Sequence, residues 1–406
     1  MLNYTWKGIK FPNPFILAPA PPTRNADMIM SALKQGWGGA IIKTLSLHPE
    51  RVHESCPRLH SFRLEGDKKK LGPAFGFLNT ELISRREVKE WEDDVARIKD
   101  AFPDKVIIAS FNNASDDLEG WKELTTRMQN VGADIIQMNA ACPNKTSKGG
   151  VAVFDINQDI VKAVKSVAKI PVWVKLPADL PNVVNSAKIA LDAGADGFSA
   201  INTIKGFPGI DIESLEPAMN LCNGYTTYGG CSGYMVKPFA LKYITQVAKA
   251  HPKSYISGTG GIMNWQDGVE FMLCGCSSLQ MCTQVMFKGF GIINGLLKGM
   301  EGYMNKHSDK FNSVESMIGY SLPRIVDFAD LHVDTNPANK QIAEIDNKKC
   351  TKCGSCSVAC RDGGFQAIYL NKSNPPTYHV NTKLCDGCGL CASVCQYSAI
   401  KMVPKE

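Results

Sequence analysis

The sequence predicts an α/β fold: a (β/α)8 TIM barrel over residues 1–320, then a small cysteine-rich domain at the C-terminal end. Two observations predict it. Eight short apolar runs alternate with amphipathic helical patterns, and near the end one four-cysteine phrase is written twice.

The runs are Pro14 to Ala18, Gly39 to Lys43, Val106 to Ser110, Asp134 to Asn139, Val172 to Leu176, Gly197 to Asn202, Tyr255 to Gly258 and Ser278 to Cys282. Near-continuous apolar strands are the mark of parallel sheets buried on both faces. Between several of them, Arg85 to Ala101, Leu118 to Val131, Gln158 to Val167, Val183 to Ala193 and Lys237 to Ala250 carry apolar residues at helical spacing. Eight such units close naturally as a barrel, with a doubly wound open sheet as the alternative.

In a barrel, chemistry collects at the C-terminal ends of the strands. Those ends carry Lys43-Thr44, Asn139 with Cys142, Lys175, Asn202-Thr203, Gly258 to Gly261 and Cys282-Thr283. One polar strand end is what any turn needs; six together mark a site.

Residues 321–344, with Pro323, Pro337 and several Asn and Asp, read as a linker, and 345–406 as the C-terminal domain. Its phrase is C-x2-C-x2-C-x3-C, at Cys350, Cys353, Cys356, Cys360 and again at Cys385, Cys388, Cys391, Cys395. In the bacterial-type ferredoxin run the first three thiolates hold one cubane and the fourth holds the other. The expected ligand sets are therefore Cys350, Cys353, Cys356 and Cys395 for one [4Fe-4S] cluster, and Cys385, Cys388, Cys391 and Cys360 for its partner. Zinc is the competitor, but zinc pairs have no need of a third C-x2-C step. Arg361 and Gln396 stand where Pro usually follows the fourth cysteine, a change that removes no ligand. A domain of this kind moves single electrons, and fast transfer argues for docking on the barrel over a detached tail.

Hydrophobic content of 44% and charge of 21% are ordinary globular values. Of fifteen cysteines, the seven outside the tail phrases are scattered without a disulfide-scaffold rhythm, which together with the expected clusters indicates a reducing compartment. Met1 to Phe11 has no apolar signal region, and the uncharged stretch Phe271 to Phe287 is too short to span a bilayer. A cytoplasmic protein with no membrane segment is expected. The net charge of +6, without an arginine-rich run interleaved with aromatics, gives no case for nucleic acid.

Gly260-Gly261 and Met281 to Thr283 lie after the seventh and eighth strands, where barrels commonly bind phosphate on backbone N–H groups. The phosphate of flavin mononucleotide (FMN) suits that place. No G-x-G-x-x-G stands in a strand–turn–helix setting, so no nicotinamide dinucleotide is expected on this chain. Lys43 and Lys175 end apolar strands, where a buried amine needs an anion or acceptor; the electron-rich edge of a reduced flavin is one. Cys142, followed by Pro143 on the loop after Asn139, is placed to exchange a proton while hydride moves at the flavin.

These residues together resemble the dihydroorotate dehydrogenase and dihydropyrimidine dehydrogenase superfamily, over nearly the whole chain. The carriers are Lys43 to Ser46, Phe77-Leu78-Asn79-Thr80-Glu81-Leu82-Ile83-Ser84, Asn202-Thr203, Thr227 to Gly230 with Ser232-Gly233, Gly260-Gly261, and Gly364 to Ile368 in the tail. The resemblance implies that Asn79, Glu81, Ile83, Asn139, Asn202 and Thr203 hold a pyrimidine ring. It implies FMN contacts at Ala18 or Ala20, Lys43, Thr44, Asn79, Asn139, Lys175, Asn202, Gly230, Ser232, Gly233, Gly260, Gly261, Cys282 and Thr283. Cys142 matches the family's general acid, which protonates C5 while hydride reaches C6 of uracil or thymine. The implied partner is an NAD(P)H-oxidising subunit carrying FAD and iron–sulfur, or else ferredoxin, in a homodimer or heterotetramer. One departure is visible: pyrimidine reducers continue from Cys-Pro into His-Gly, whereas this chain has Cys142-Pro143-Asn144 and then Lys148-Gly149-Gly150, nearer to the dihydroorotate oxidisers. Glu81 and its neighbours follow the pyrimidine reducers. A dihydroorotate dehydrogenase, a reductase of a related nitrogen heterocycle, and a non-catalytic electron-transfer subunit are the alternatives.

Overall fold

All eight expected runs pair edge to edge in parallel and close into one barrel, so the open-sheet alternative falls. The computed structural model describes residues 2–64, 71–139, 156–178, 182–221, 223–331, 340–371 and 374–405. The chain divides into Met1–Ile325 and Val326–Glu406.

The barrel strands are β1 (Phe15–Leu17), β2 (Gly39–Ile41), β3 (Val106–Phe111), β4 (Ile135–Met138), β5 (Val172–Leu176), β6 (Gly197–Ala200), β7 (Tyr255–Thr259) and β8 (Ser278–Met281), each beside the next, with β8 returning to β1. The helices are α1 (Ala26–Lys34), α2 (Val88–Ala101), α3 (Leu118–Asn130), α4 (Gln158–Val167), α5 (Val183–Asp192), α6 (Lys237–Ala250), α7 (Trp265–Leu273), the short α8 (Thr283–Lys288) and α9 (Ile293–Lys306). Every residue of β3 is buried, because the strand meets helices on one side and the barrel interior on the other. Each such aliphatic side chain contributes about 1.5–3 kcal/mol. Helix starts are set by caps: the side chains of Asn25, Asp117, Asn182 and Asn264 accept from backbone N–H groups of the first turns. The helical pattern expected from Arg85, α2, begins at Val88 instead, because Ser84 is drawn to the barrel, its N–H donating to the Thr44 carbonyl at 2.7 Å.

Two features escaped the sequence reading. An N-terminal hairpin, Tyr4–Trp6 with Ile9–Phe11, plugs the bottom. Its Trp6 ring lies 4.3 Å from Tyr255, whose ring stacks 5.0 Å from Trp173 at the start of β5. The C-terminal end is left as the mouth. There, excursions after β2 and β6 meet in a four-stranded antiparallel sheet, ordered Ile204–Gly206, Gly229–Gly233, Ala74–Asn79, Leu59–Arg63.

In the second unit, β9 (Gln341–Ile345) pairs antiparallel with β12 (Ile400–Pro404), and β10 (Ile368–Asn371) with β11 (Thr377–Val380). Helices α10 (Ser355–Gly363) and α11 (Leu390–Ser393) each follow a left-handed glycine, Gly354 at φ 81° and Gly389 at φ 77°. Each glycine stands directly after the second cysteine of a phrase, where the chain must turn sharply to bring the third cysteine round.

Candidate functional site

The barrel mouth opens into a cavity that encloses about 1150 Å³ of empty space, open solvent included. It is lined by Ala18, Ala20, Lys43, Thr44, Asn79, Glu81, Ile83, Asn139, Lys175, Asn202, Thr203, Ser232, Gly233, Gly260, Gly261, Cys282 and Thr283. Those are the expected ring and cofactor residues, with two exceptions. Gly230 stands behind the wall: its carbonyl accepts from Asn79 Nδ2 at 2.7 Å. A Cβ there would lie 2.7 Å from Thr203 Cβ and 3.2 Å from Asn79 Nδ2, so glycine lets both readers share the space. Cys142 lies outside the described residues.

The mouth sheet brings Asn79 and Glu81 to the barrel. Its ladder sets Asn79 opposite Gly230 and, on the other side, Leu59. Glu81 then meets two cations: Lys43 Nζ donates to Oε2 at 2.7 Å and Arg58 Nε to Oε1 at 2.8 Å. Burial pushes the Glu81 carboxyl up, but the charges and hydrogen bonds of Lys43 and Arg58 outweigh it, and its pKa falls below the ordinary value.

On the barrel side, Thr44 Oγ1 lies 2.9 Å from Ser110 Oγ and accepts from Asn139 Nδ2 at 3.2 Å. Asn112 Nδ2 holds the Asn139 carbonyl at 2.7 Å. With its amide group so engaged, Asn139 keeps a buried Oδ1 that has no hydrogen-bond partner among the described residues. It is an acceptor awaiting an N–H donor. Gln280 on β8 donates to Ser199 and Ser257 at 2.8 and 2.9 Å, which makes the cavity floor polar. Burial pushes the Cys282 thiol up to about 12, against the pull of Lys43 and Lys175, so it is a neutral wall group.

The loop after β7 is built for close backbone approach. Gly260 and Gly261 have φ of 117° and 91°, and a Cβ on Gly261 would sit 2.9 Å from Lys237 N. Asp267, 3% exposed, accepts from the Met263 and Asn264 N–H groups at 2.9 and 3.2 Å and pairs with Lys237. The loop is thereby fixed from below while its upper face lines the cavity, an arrangement suited to an anion.

In the second unit two separate cavities contain cysteines. One is lined by Cys350, Cys353, Cys356 and Cys395, the other by Cys360, Cys385, Cys388 and Cys391. Backbone N–H groups of Ala367 and Ala399 donate to Cys360 Sγ at 3.3 Å and Cys395 Sγ at 3.4 Å. Among the described residues no three His, Cys, Asp or Glu converge where a single metal ion could sit. Each cavity gathers four thiols from both phrases. No helix among the described residues is long and apolar enough to cross a membrane.

Arg58, Leu59, Cys231, Gln280 and Met286 also bound the site and were not singled out from the sequence. The Arg58 segment, which follows Cys56-Pro57, has no motif, and only its pairing with Glu81 reveals it.

Comparison with known proteins agrees with this geometry. Residues 1–304 match the dihydroorotate dehydrogenase family and 343–402 the 4Fe-4S dicluster domain. The chain is 34% identical over 383 residues to the NAD-dependent dihydropyrimidine dehydrogenase subunit PreA of Escherichia coli, covering 92% of this chain and 89% of that one. It is 31% identical over 363 residues to the chloroplastic NADP(+) dihydropyrimidine dehydrogenase of Arabidopsis thaliana, covering 87% and 83%. The ligand-free DHODH of Eimeria tenella superposes with a TM-score of 0.63 over 79% of this chain and 91% of that one; at 20% identity this likeness speaks for the fold alone.

Proposed function

The chain belongs to the dihydroorotate dehydrogenase family, and from that premise we propose that it reduces uracil or thymine to the 5,6-dihydropyrimidine. The observation that carries this reading is Glu81: an ionised carboxylate, clamped between Lys43 and Arg58 at the barrel mouth, offers only acceptors and so selects a ring that presents N–H. The relatives named dihydropyrimidine dehydrogenases support the same ring class.

The residues present fit FMN. The Gly260-Gly261 loop would take its phosphate, Lys43 and Lys175 the electron-rich edge of its ring, and the orphaned Asn139 Oδ1 a ring N–H. The four-cysteine cavities, with the sets crossed between the two phrases, fit two [4Fe-4S] clusters. When bound, these groups supply single electrons and a hydride for C6. The protein does the rest. Asn79, Glu81, Ile83, Asn139, Asn202 and Thr203 hold the pyrimidine, and Cys142 delivers the proton to C5. Unmet polar partners at such a site penalise a wrong ring strongly.

Electrons would come from an NAD(P)H-oxidising partner subunit carrying FAD, with ferredoxin as the lesser donor, in the cytoplasm and in a homodimeric or heterotetrameric assembly. A second reading, oxidation of dihydroorotate, is favoured by the Cys142-Pro143-Asn144 continuation and by the family model itself. The test is anaerobic: reduce the purified protein chemically and follow flavin absorbance after uracil, thymine or orotate, with Cys142→Ala as control. Reoxidation by uracil or thymine, lost in the variant, is expected; reoxidation by orotate alone would move the chain to the second reading.

A further inference from the structure

Arg58 belongs to none of the motifs that carry the family resemblance, yet it controls how Glu81 stands. We propose that Arg58 is a positioning residue that sets affinity for the substrate ring by clamping the second oxygen of Glu81. The inference rests on the pyrimidine-reducing reading given above.

Arg58 is fixed by the mouth sheet itself. The Thr80 N–H donates to the Arg58 carbonyl at 3.0 Å, one step beyond the rung that pairs Leu59 with Asn79. Its side chain therefore arrives beside Glu81 on the same rigid ladder. Lys43 is a point charge on Oε2 and does not fix the direction of the carboxylate plane. Nε of Arg58, donating to Oε1 at 2.8 Å, adds a directional contact on the second oxygen. Beyond it, Arg58 Nη1 and Arg85 Nε each lie 3.5 Å from Glu54 Oε2. Charges thus alternate from the cavity outward: Lys43, Glu81, Arg58, Glu54, Arg85. Each carboxylate lies between two cations, and only Arg85 is well exposed.

Among the described residues the charged and titratable groups tied to Glu81 or to its partner Arg58 are Lys43 just after β2, Arg58 with Glu54 and Cys56 before the mouth sheet, and Cys282 just after β8, beside which stands Lys175 on β5. Without Arg58, Glu81 would lose one hydrogen bond and one cation that oppose the effect of burial, and the carboxyl would take up a proton at a higher pH. A protonated Glu81 offers a donor where the ring N–H needs an acceptor. The loss falls on ring affinity, because Arg58 acts through Glu81, a residue assigned to holding the ring.

The experiment uses the full, cluster- and flavin-loaded chain, with Arg58→Gln and Arg58→Lys beside the wild type. Reoxidation of the chemically reduced flavin is followed against uracil concentration between about pH 5 and 9. This separates apparent affinity from limiting rate. Flavin content and circular dichroism are recorded for each variant. R58Q should weaken uracil affinity about tenfold or more, move the acid limb of the affinity profile to higher pH, and leave the limiting rate within about twofold. R58K should restore the acid limb and only part of the affinity. An unchanged affinity profile in R58Q, or a fall confined to the limiting rate or to thermal stability, would overturn the proposal. If the wild type itself is not reoxidised by uracil or thymine, the functional reading fails and takes this inference with it; that result is distinct from a responsive wild type matched by R58Q.

Discussion

Replacing Cys395 by alanine should empty the cluster site of the first cysteine phrase and spare that of the second, in which Cys395 itself stands. The geometry behind this is the crossing: Cys395 faces the cavity of Cys350, Cys353 and Cys356, while Cys360 faces that of Cys385, Cys388 and Cys391. Each cavity offers four thiols, the complement of one cubane. C395A should therefore retain about half of the iron and acid-labile sulfide of the wild type. Pairs of substitutions make the test decisive. C395A/C353A removes two ligands from one cavity and should still hold about half of the iron, whereas C395A/C388A damages both cavities and should hold almost none. If each phrase kept its own four cysteines, the two double variants would exchange outcomes. Iron and sulfide analysis on anaerobically purified protein reads the amounts, and EPR of the reduced state reports whether one spin system or two interacting ones remain. A C395A/C388A protein with half its iron beside an iron-free C395A/C353A would refute the crossed assignment.

Gly261→Ala should release FMN, since its Cβ meets the Lys237 backbone at a positive φ; overpacking of about 1–3 kcal/mol is expected, read as flavin lost on gel filtration with iron unchanged. Gly230→Ala should do the reverse, keeping FMN but weakening uracil affinity in titrations, because it crowds Thr203 and Asn79. Asp267→Asn strips the charge from a buried partner of Lys237; Glu270 at 2.6 Å still pairs with that lysine, so the loss should stay below the about 3–5 kcal/mol of a fully broken buried pair, and thermal unfolding will measure it. Glu81 has a folded-state pKa below its ordinary value of 4.5. Its stabilising contribution is fully present above that pH and is lost as pH falls through the folded pKa. Glu81→Gln should accordingly flatten the acid side of a melting-temperature profile; an unchanged acid side would show that the pairing contributes nothing.

The barrel was legible because parallel barrel strands are buried on both faces, so β3 reads as an unbroken apolar run from Val106 to Phe111. The strand-end residues were legible for a topological reason: once the strands are known, their C-terminal ends must share one mouth. The mouth sheet left no such trace. Gly229–Gly233 is two glycines, Cys, Ser and glycine, without the alternation that marks a half-buried strand. Its pairing with Ala74–Asn79, more than a hundred residues away in sequence, makes it a strand at all. Arg58 was hidden for the same reason, since its meaning lies in a contact with Glu81 and in no local pattern.

The mouth sheet also explains how one site can meet two different demands. Residues suited to the cofactor lie mostly on barrel strand ends and on the glycine loop after β7, whose positions are fixed by the closed ladder and by Asp267. Asn79 and Glu81 instead hang from excursions, held on one side by Gly229–Gly233, on the other by Leu59–Arg63, and below by Ser84 bonded to Thr44. Excursions tolerate change that a closed barrel does not. Substitutions in residues 58–63, 80–84 and 204–206 should thus alter which ring is accepted while leaving flavin binding intact, whereas changes at Lys43, which serves both sides through its bond to Glu81, should disturb both together. The paired outcomes of Gly230→Ala and Gly261→Ala follow directly from this division, and a Gly230→Ala protein that lost its flavin would show that the two layers are not separable.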